Sequence, residues 1–462
     1  MNHHYSQRLI RLGTHASLAL AVAGALALPL TAQAGSFQLP TDNAAGWARA
    51  SAGGSLFAND PTAVYNNPAA MAFFTDPVLQ ITGTAIRPSA KFSGEFNDQQ
   101  GNPVTGGNPN GFGEFQPFPN IAFAAPINDR LTLGASLTVP YGLASEYDPT
   151  WQGRYFGTKT SLESVALSFT AGFKVNDRFS LGLGVVGQRT ETQLNTMLDP
   201  TGTASALVGA PVFGAPQSQD VQMNITLDKP IAYGYIVGAE FKPTPQDSIG
   251  FSYHSRIKQT RGGHYRLYGG EVGKDLIAMG PTAFPTAGLP SINPDGDSAQ
   301  SVLDTPAFAS LDWVHHVNDK FSLAASIKWT EWSSFNELVL TSQGNLLVAL
   351  PQNYRDSFAY SVGGDYRVNE RWTLRAGLGY DQTPTNDATR DPRIPDESRV
   401  LLGLGFGYQA SNRLMLDFGY QHQFVKNAKV NMTNDISLGA GTMDGKFDDY
   451  GDVVSLTGTY RF

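Results

Sequence analysis

Apolar and polar residues alternate along most of the chain after about residue 77, which is the pattern of β-strands with one apolar face. In the stretch KFSLAASIKW, one face carries Phe321, Leu323, Ala325, Ile327 and Trp329. In the terminal stretch DVVSLTGTYRF, one face carries Val454, Leu456, Gly458, Tyr460 and Phe462. Strands of this kind occur in transmembrane barrels, with the apolar face toward lipid, and in soluble β-sandwiches, with the apolar face inside.

Six short polar turns interrupt this pattern between apolar strand ends. They lie in the motifs APINDRLTL, FKVNDRFSL, FKPTPQDSIGF, HHVNDKFSL, YRVNERWTL and YQASNRLML. Asn, Asp and Gly tolerate the backbone angles of tight hairpins, so each motif predicts a hairpin turn. The connections at the opposite strand ends are long and rich in Gly, Pro and Asn, as in residues 94–113 and 262–300. If both chain ends lie on the short-turn side, six such turns predict fourteen strands.

Short turns at one end and long loops at the other are typical of outer-membrane barrels. A last strand left unpaired in lipid would cost several kcal/mol per unsatisfied backbone group, so the terminal strand must close a cylinder. We therefore predict an all-β fold, a 14-stranded antiparallel transmembrane β-barrel over residues 77–462. Aromatic residues near strand ends support it: Trp151, Trp313, Trp332, Trp372, Tyr408 and Tyr420.

Residues 35–76 do not alternate and predict a small helical segment instead. Helix starts lie at Asp60-Pro61 and at Asn67-Pro68, where Asn67 caps the helix and Pro68 takes its first position. Irregular backbone cannot face lipid, but it can lie inside a protein-walled lumen, and a barrel of this size has a lumen wide enough to need filling. We interpret residues 35–76 as an N-terminal hatch that plugs the lumen. A periplasmic tail is the alternative.

Residues 1–34 predict a secretory signal peptide. Arg8 and Arg11 precede the apolar run Ala16–Leu30, and TAQA at 31–34 has the small residues of a cleavage site. The run is shorter than the roughly 20 apolar residues of a spanning helix. The net charge of −8 argues against nucleic acid as a partner, and the lack of cysteine excludes disulfides and thiolate metal sites.

The chain after residue 34 resembles the FadL/TodX family of outer-membrane channels for long-chain fatty acids and other hydrophobic compounds. The resemblance rests on the order of GSFQL, NNPAAMA, APINDRLTLGASLTVPYGLASEYD, GRYFGTKTSLESVALS, KWTEWSSFNEL, YDQTPTNDATRDPRIPDESRVLLGLGFGYQ and the C-terminal strand. It implies a fourteen-stranded barrel with a hatch in the outer membrane of a Gram-negative bacterium. It also implies uptake by capture in apolar pockets and lateral diffusion through a kink in the third strand, and no enzymatic activity.

Site residues follow from the same resemblance. The kink is predicted at VPYGL, where Pro140 lacks a ladder donor, Tyr141 follows, and Gly142 permits the bend. Phe37 matches the N-terminal segment that reaches into a substrate pocket, so its displacement by ligand would gate the path. The hatch element that the family places next to the kink corresponds to Asn67, Pro68 and Ala69.

The match is weakest where the fatty-acid members hold the carboxylate with basic residues. The corresponding stretches, QLNTML and LLVALP, contain no Lys or Arg. Arg189 and Arg355 are nearest and become candidate head-group contacts, because a buried carboxylate needs a charged partner. A less acidic cargo, such as a neutral hydrocarbon, an aromatic compound or an ester, is the alternative.

Two other classes of function are compatible with an outer-membrane barrel. A general outer-membrane porin or structural barrel is one alternative, and an outer-membrane lipase using a serine such as Ser252 beside His254 is another. No histidine lies in HExxH, so we expect neither metal nor cofactor. The expected partners are a fatty acid or other hydrophobic small molecule, outer-membrane lipids and lipopolysaccharide, and the barrel-assembly machinery, which recognises a C-terminal strand ending in Phe462. We expect a monomer.

Overall fold

The computed structural model describes residues 36–98, 101–108, 115–209, 217–228, 231–287, 289, 291–433 and 441–462. Within them, the strands form one antiparallel sheet that closes on itself. The first strand pairs with the second and also with the last, from Val78 opposite Arg461 to Asn97 opposite Thr442. The predicted barrel of fourteen strands is confirmed. The predicted signal peptide, residues 1–34, lies outside the described residues.

Half of the fourteen strands are interrupted once within the described residues. The uninterrupted strands are β1 (Val78–Asn97), β2 (Gln116–Asn128), β4 (Lys159–Asn176), β5 (Phe179–Leu198), β11 (Trp372–Asp381), β12 (Arg399–Gln409) and β14 (Thr442–Arg461). The interrupted strands are β3 (Leu131–Thr138, Gly142–Glu146), β6 (Val221–Asp228, Ala232–Thr244), β7 (Asp247–His254, Thr260–Tyr268), β8 (Asp297–Val302, Phe308–His316), β9 (Phe321–Thr330, Glu337–Ser342), β10 (Asn345–Pro351, Ser357–Arg367) and β13 (Leu414–Val425, Ala428–Thr433).

The helices lie in the hatch and in the long loops. The hatch contains α1 (Ala44–Ala48), α2 (Ala63–Asn66) and a 3-10 helix (Pro68–Phe73), and the loops contain α3 (Pro200–Val208), α4 (Glu271–Ala283) and a 3-10 helix (Trp332–Ser334). The predicted helix start at Asn67 is confirmed, because its side chain accepts a hydrogen bond from Ala69 N at 3.2 Å. No helix of the described residues is long and apolar enough to cross a membrane.

Each of the six predicted turns joins two consecutive strands, from β2–β3 to β12–β13. In the first of them, Asn128 Oδ1 accepts hydrogen bonds from the backbone of Arg130 and Leu131, which closes the turn. The interpretation of 262–300 as an irregular loop is wrong in part, since it contains α4 and strand segments of β7 and β8. Poor helix formers inside α4, including Gly273 and Pro281, concealed that helix.

The apolar face of the strands is the outer one. On β9, Ile327 is 44% exposed, whereas Ala324 and Ser326 on the other face are buried. A soluble β-sandwich would bury the apolar face, so this orientation excludes that alternative and agrees with a lipid-facing wall.

The hatch fills the lumen, and its backbone lies against glycine residues of the wall. A Cβ atom at Gly377 on β11 would lie 2.1 Å from Arg49 O, and one at Gly182 on β5 would lie 2.2 Å from Ala69 N. Only glycine allows backbone to approach this closely. The wall therefore has two glycine contact sites for the hatch, which we call seats: Gly377 under α1 and Gly182 under the 3-10 helix. The periplasmic tail is therefore excluded. Sequence reasoning missed α1, which Asn43 caps by accepting from Gly46 N.

Candidate functional site

The third strand is interrupted at Val139–Tyr141, inside the predicted VPYGL motif. Its first segment pairs with β2 and β4, but its second segment pairs with β4. The pairs between β2 and β3 begin at Ile121, and the half of β2 before it pairs with β1. Among the described residues, no ladder joins β2 to β3 beyond the interruption, so the hydrogen bonding of the wall has a gap there.

Side chains of the neighbouring strands satisfy the backbone at the interruption. Ser164 Oγ on β4 accepts from Tyr141 N at 2.9 Å and donates to Tyr141 O at 3.0 Å. Asn120 Oδ1 on β2 accepts from Val139 N at 3.2 Å. Buried backbone groups need such partners, so the interruption is a defined conformation of the wall.

The start of the hatch lies in this interruption as a short extra strand. Gln38 forms an antiparallel bridge with Tyr141. Leu39 N donates to Pro140 O at 2.9 Å, and Gly142 N donates to Phe37 O at 2.9 Å. The segment Phe37–Leu39 thereby supplies part of the pairing that β2 does not make.

Phe37 is buried in a cluster of aromatic rings. Its ring centroid lies 4.7 Å from that of Trp332 in an edge-on arrangement and 5.5 Å from that of Phe335. Phe335 in turn contacts Tyr354, with centroids 5.1 Å apart. Edge-on pairs each contribute about 0.5–1.5 kcal/mol beyond their area. Sequence reasoning missed Trp332 and Phe335 as site residues, although both lie in the motif KWTEWSSFNEL.

Apolar surface continues from Phe37 into the long loops. Helices α3 and α4 face each other across a cavity of about 90 Å³. Its lining is mostly apolar and includes Leu198, Leu207, Ile277 and Met279. Leu198 belongs to the same buried cluster as Phe37, and Ile277 packs against that cluster. Packed apolar side chains therefore continue from the loop cavity to Phe37, which lies beside the interruption in β3.

On the other side of Phe37–Leu39, charged groups of the lumen stand among apolar side chains, which include Leu39, Phe308 and Leu401. A cavity of about 160 Å³ there is lined by Asp42 of the hatch, Asp312 and Lys328 of the wall, and several hydroxyl groups. Ser51 Oγ donates to Asp42 Oδ2 at 2.5 Å. Burial raises the pKa of Asp42 above its usual value, although that hydrogen bond and nearby cations oppose the shift.

The predicted hatch element lies on β5 and β6. Asn67 Nδ2 donates to Ala239 O at 3.3 Å, and Ser180 Oγ donates to Ala69 O at 2.8 Å. Pro68 packs against Gly182. The hatch residues bonded to Pro140 and Gly142 are Phe37 and Leu39.

Of the two candidate head-group arginines, Arg189 lies on the outer face of β5. It forms a two-point ion pair with Asp228, with Nη2 to Oδ2 at 2.8 Å, and it is exposed together with Val185. Arg189 therefore points away from the lumen, as Val185 does, and is not placed to contact a head group inside the barrel. Arg355 is exposed in the interruption of β10.

Two cations line the lumenal cavity instead, Lys328 on β9 and Arg399 on β12. Lys328 Nζ lies 4.7 Å from the centroid of the Phe308 ring. Sequence reasoning missed both residues as head-group candidates. The sequence did contain a signal for Lys328. Side chains alternate between the two faces of a strand, and Lys328 lies between the outward residues Ile327 and Trp329, so it must point into the lumen.

The serine and histidine considered for a lipase do not bond to each other. Ser252 Oγ lies 3.0 Å from Ser310 Oγ, whereas His254 Nε2 lies 3.3 Å from Asn66 O and its ring stacks on Phe308. A nucleophile and its base need direct contact, so this pair offers no hydrolytic site. Among the residues described, no group of three or more His, Cys, Asp and Glu side chains could hold a metal ion.

The chain is similar to known outer-membrane transport proteins over most of its length. Residues 25–462 match the family described as "Outer membrane protein transport protein (OMPP1/FadL/TodX)". The long-chain fatty acid transport protein of Escherichia coli K12 is 27% identical over 433 residues, which cover 89% of this chain and 93% of that protein. A crystal structure of a Pseudomonas aeruginosa FadL homologue is 43% identical, with a TM-score of 0.87 over 92% of this chain and 100% of that one. The Pseudomonas putida toluene transporter TodX shares the fold, with a TM-score of 0.66 at 18% identity over 92% of this chain and 99% of that one.

Proposed function

Because the chain belongs to the OMPP1/FadL/TodX family of outer-membrane transport proteins, we propose that it takes up long-chain fatty acids or related hydrophobic compounds by lateral diffusion. The cargo enters apolar pockets in the loops and leaves through the gap at the interruption of β3. The names of the relatives, a long-chain fatty acid transport protein and a toluene transporter, span this class of cargo.

The apolar cavity between α3 and α4 supports a capture step. Met279 on α4 is 53% exposed at its edge, so the cavity can be entered from outside. Transfer of apolar surface from water into such a cavity is favourable by about 25 cal/mol per Å². The buried cluster that continues to Phe37 then offers the cargo similar surroundings along the way.

The charged groups in the lumen support an exit through the wall. Beyond Leu39 the cargo would meet Asp42, Asp312 and Lys328, which an alkyl chain cannot hydrogen-bond. Below that cavity the hatch backbone lies against the wall. The bilayer beside the gap is apolar, so lateral movement follows the more favourable free-energy gradient. The seats that hold Asn67, Pro68 and Ala69 keep the hatch in place during transport.

The observation that carries this proposal is the pairing of Phe37–Leu39 with Pro140–Gly142. This segment lies between the apolar cluster and the gap, so cargo must displace it to leave. The ring of Phe37 fills the cluster side of the segment. Displacement of Phe37 by an apolar ligand would free the two backbone hydrogen bonds and open the path.

A reversible cross-link tests this route. Gln38 and Tyr141 form a bridge flanked by hydrogen bonds of their neighbours, the pairing in which Cα atoms lie about 4.5 Å apart. Replacing both, Gln38→Cys and Tyr141→Cys, creates a disulfide pair in a chain without cysteine. Oxidation should abolish uptake of a radiolabelled fatty acid by intact cells, and reduction should restore it.

Wild-type cells under the same oxidant are the control, because their protein has no thiol to react. The cross-link should form without change in the amount of folded barrel, measured by its heat-modifiable mobility. Uptake that continues unchanged through the fully oxidised variant would refute exit through this gap. A general porin would also continue to pass small polar solutes in that state, which a sugar-permeation assay detects.

A further inference from the structure

The outer face of three adjacent strands carries a cluster of exposed lysines toward the long-loop end. These strands are β13, β14 and β1, and the residues are Lys91, Lys426, Lys429 and Lys446. Lys429 and Lys446 stand directly opposite each other in the antiparallel register. Two like charges in such a pair repel each other, so a strand pair that contains them favours a bound anion between them.

Carboxylates adjoin this cluster, since Asp444 and Asp448 flank Lys446 on the outer face of β14. Asp448 stands opposite Lys91, but no ion pair within 4.0 Å joins them. A second row farther from the membrane is acidic, with Glu95 opposite Asp444. Among the described residues, the lysines that do form ion pairs lie elsewhere on the barrel: Lys159, Lys174, Lys242 and Lys274.

The aromatic residues of the same strands fix the level of the cluster relative to the bilayer. Tyr460 and Tyr450 are both exposed on the outer face of β14, with Val454, Leu456 and Gly458 between them. Asp452 lies next to Tyr450 on this face and is bonded to Tyr420 and His422 of β13. Ten residues at about 3.3 Å each, on a strand tilted by about 40°, span about 25 Å, the height of the apolar band of such barrels. Lys446 lies four residues beyond Tyr450, hence about 10 Å above that band.

We propose that this lysine cluster binds the phosphate groups of lipid A, the membrane-embedded part of lipopolysaccharide. The cluster lies on the lipid side of the wall at head-group level, so its ligand is a membrane lipid with acyl chains beside β14. A phosphate accepts several charge-assisted hydrogen bonds from ammonium groups, and one held between Lys429 and Lys446 removes their repulsion. Lys91 and Lys426 extend the cluster to the second phosphate of lipid A.

Lipid titration of the detergent-solubilised barrel tests the site. The variant combines Lys429→Gln with Lys446→Gln, and the probe is lipid A from a rough strain, with binding measured by native mass spectrometry. EDTA is present so that divalent cations at Glu95 and Asp444 do not contribute. Each lysine near a charged membrane surface is worth about fivefold in affinity, so the variant should bind about 25-fold more weakly. The matched control combines Lys320→Gln with Arg413→Gln, two exposed cations of the periplasmic turns, and should bind as wild type.

Two further arms separate phosphate recognition from general effects. Dephosphorylated lipid A should bind wild type and variant equally, and phosphatidylglycerol should bind wild type more weakly than lipid A does. In lipid-free detergent, the variant should unfold at the wild-type temperature or above it, since it has lost a repulsive pair. Equal binding of lipid A by wild type and variant, or equal binding of phosphatidylglycerol and lipid A by wild type, would overturn the proposal.

Discussion

Arg49 at the end of α1 and Asp365 on β10 form a buried ion pair between hatch and wall, with Nη1 3.1 Å from Oδ1. Asp365 also bonds Arg375 on β11, which bonds Asp417 on β13 through Nη1 at 2.7 Å. The guanidinium of Arg49 lies 3.6 Å from the centroid of the Phe57 ring. Arg49 of the hatch is therefore part of a charge network that extends over three strands, β10, β11 and β13. This network helps to hold the hatch in its position in the lumen.

The first prediction concerns this ion pair. Arg49→Met keeps the aliphatic stem but removes the charge, so Asp365 loses one of its two arginine partners. Removing one member of a buried pair costs about 3 kcal/mol or more, which should loosen the hatch. We expect larger and more frequent ionic current steps in planar bilayers than for wild type. Arg178→Met, at an exposed turn outside the lumenal cavity that Arg49 lines, is the control and should leave the current unchanged. A wild-type current trace for Arg49→Met would show that the ion pair does not seat the hatch.

The second prediction concerns the seat under α1. In Gly377→Ala, the new methyl group would lie 2.1 Å from Arg49 O, so the backbone of the hatch must move away. The variant should admit large antibiotics such as vancomycin, measured as a lower inhibitory concentration for cells that carry it. Gly83→Ala is matched in chemistry and lies on the outer face of β1 with no atom within 4 Å of the added carbon. Equal antibiotic sensitivity of the two variants would contradict the seat.

The sequence predicted the barrel because its signals are local. Alternation, turn motifs and the polarity of each strand face depend on neighbours within about ten residues, and they fixed strand number and the lipid face. The alternation of side chains along a strand could also have predicted that Arg189 lies on the outer face of the barrel and Lys328 on the lumenal face. The interruption of β3 was also predictable, since Pro140 has no N–H for the ladder and Gly142 permits a bend.

The contacts that define the site were not predictable, because they join residues far apart in sequence. Arg49 and Asp365 are 316 positions apart, and no local pattern couples them. The packing of Phe37 on Trp332 likewise depends on how the hatch enters the closed barrel. Helices α3 and α4 were missed for a different reason, since their glycine and proline content lowers intrinsic helix propensity.

The third prediction concerns pH and Asp60 of the hatch. Burial raises the pKa of Asp60 above its usual value of 3.8, although Arg49 and hydrogen bonds from Thr62 oppose the shift. A pKa that is higher in the seated hatch than in the displaced hatch means that ionisation of Asp60 destabilises the seated state. The hatch should therefore be less firmly seated above the raised pKa and more firmly seated as pH falls through it toward 3.8.

Planar-bilayer current measured from neutral pH down to about pH 4 checks this sign. Wild-type current steps should become rarer on acidification. Asp60→Asn keeps an oxygen that accepts from Asn43 and Thr62 but cannot ionise, so its current should be low and less dependent on pH. A current that rises on acidification, or a variant whose profile matches wild type, would show that Asp60 does not control seating.

The fourth prediction concerns capture between α3 and α4. Met279 lines the apolar cavity, so Met279→Asp places a charge where an alkyl chain would bind. Loss of the apolar contact and desolvation of the carboxylate together should weaken capture by at least about 1.4 kcal/mol, which is tenfold in affinity. The concentration of fatty acid that gives half-maximal uptake should rise about tenfold. The maximal rate should change little, because exit at β3 is untouched.

Val272 provides the matched control for that change. It lies on the same helix and is 46% exposed, close to the exposure of Met279, but it does not line the cavity. Val272→Asp should leave the half-maximal concentration at its wild-type value, which separates cavity polarity from surface charge. Because capture precedes displacement of Phe37, Met279→Asp combined with the oxidised Gln38→Cys, Tyr141→Cys pair should show no uptake at any concentration. Half-maximal concentrations that rise equally in both aspartate variants would mean that charge on α4, and not the cavity, governs entry.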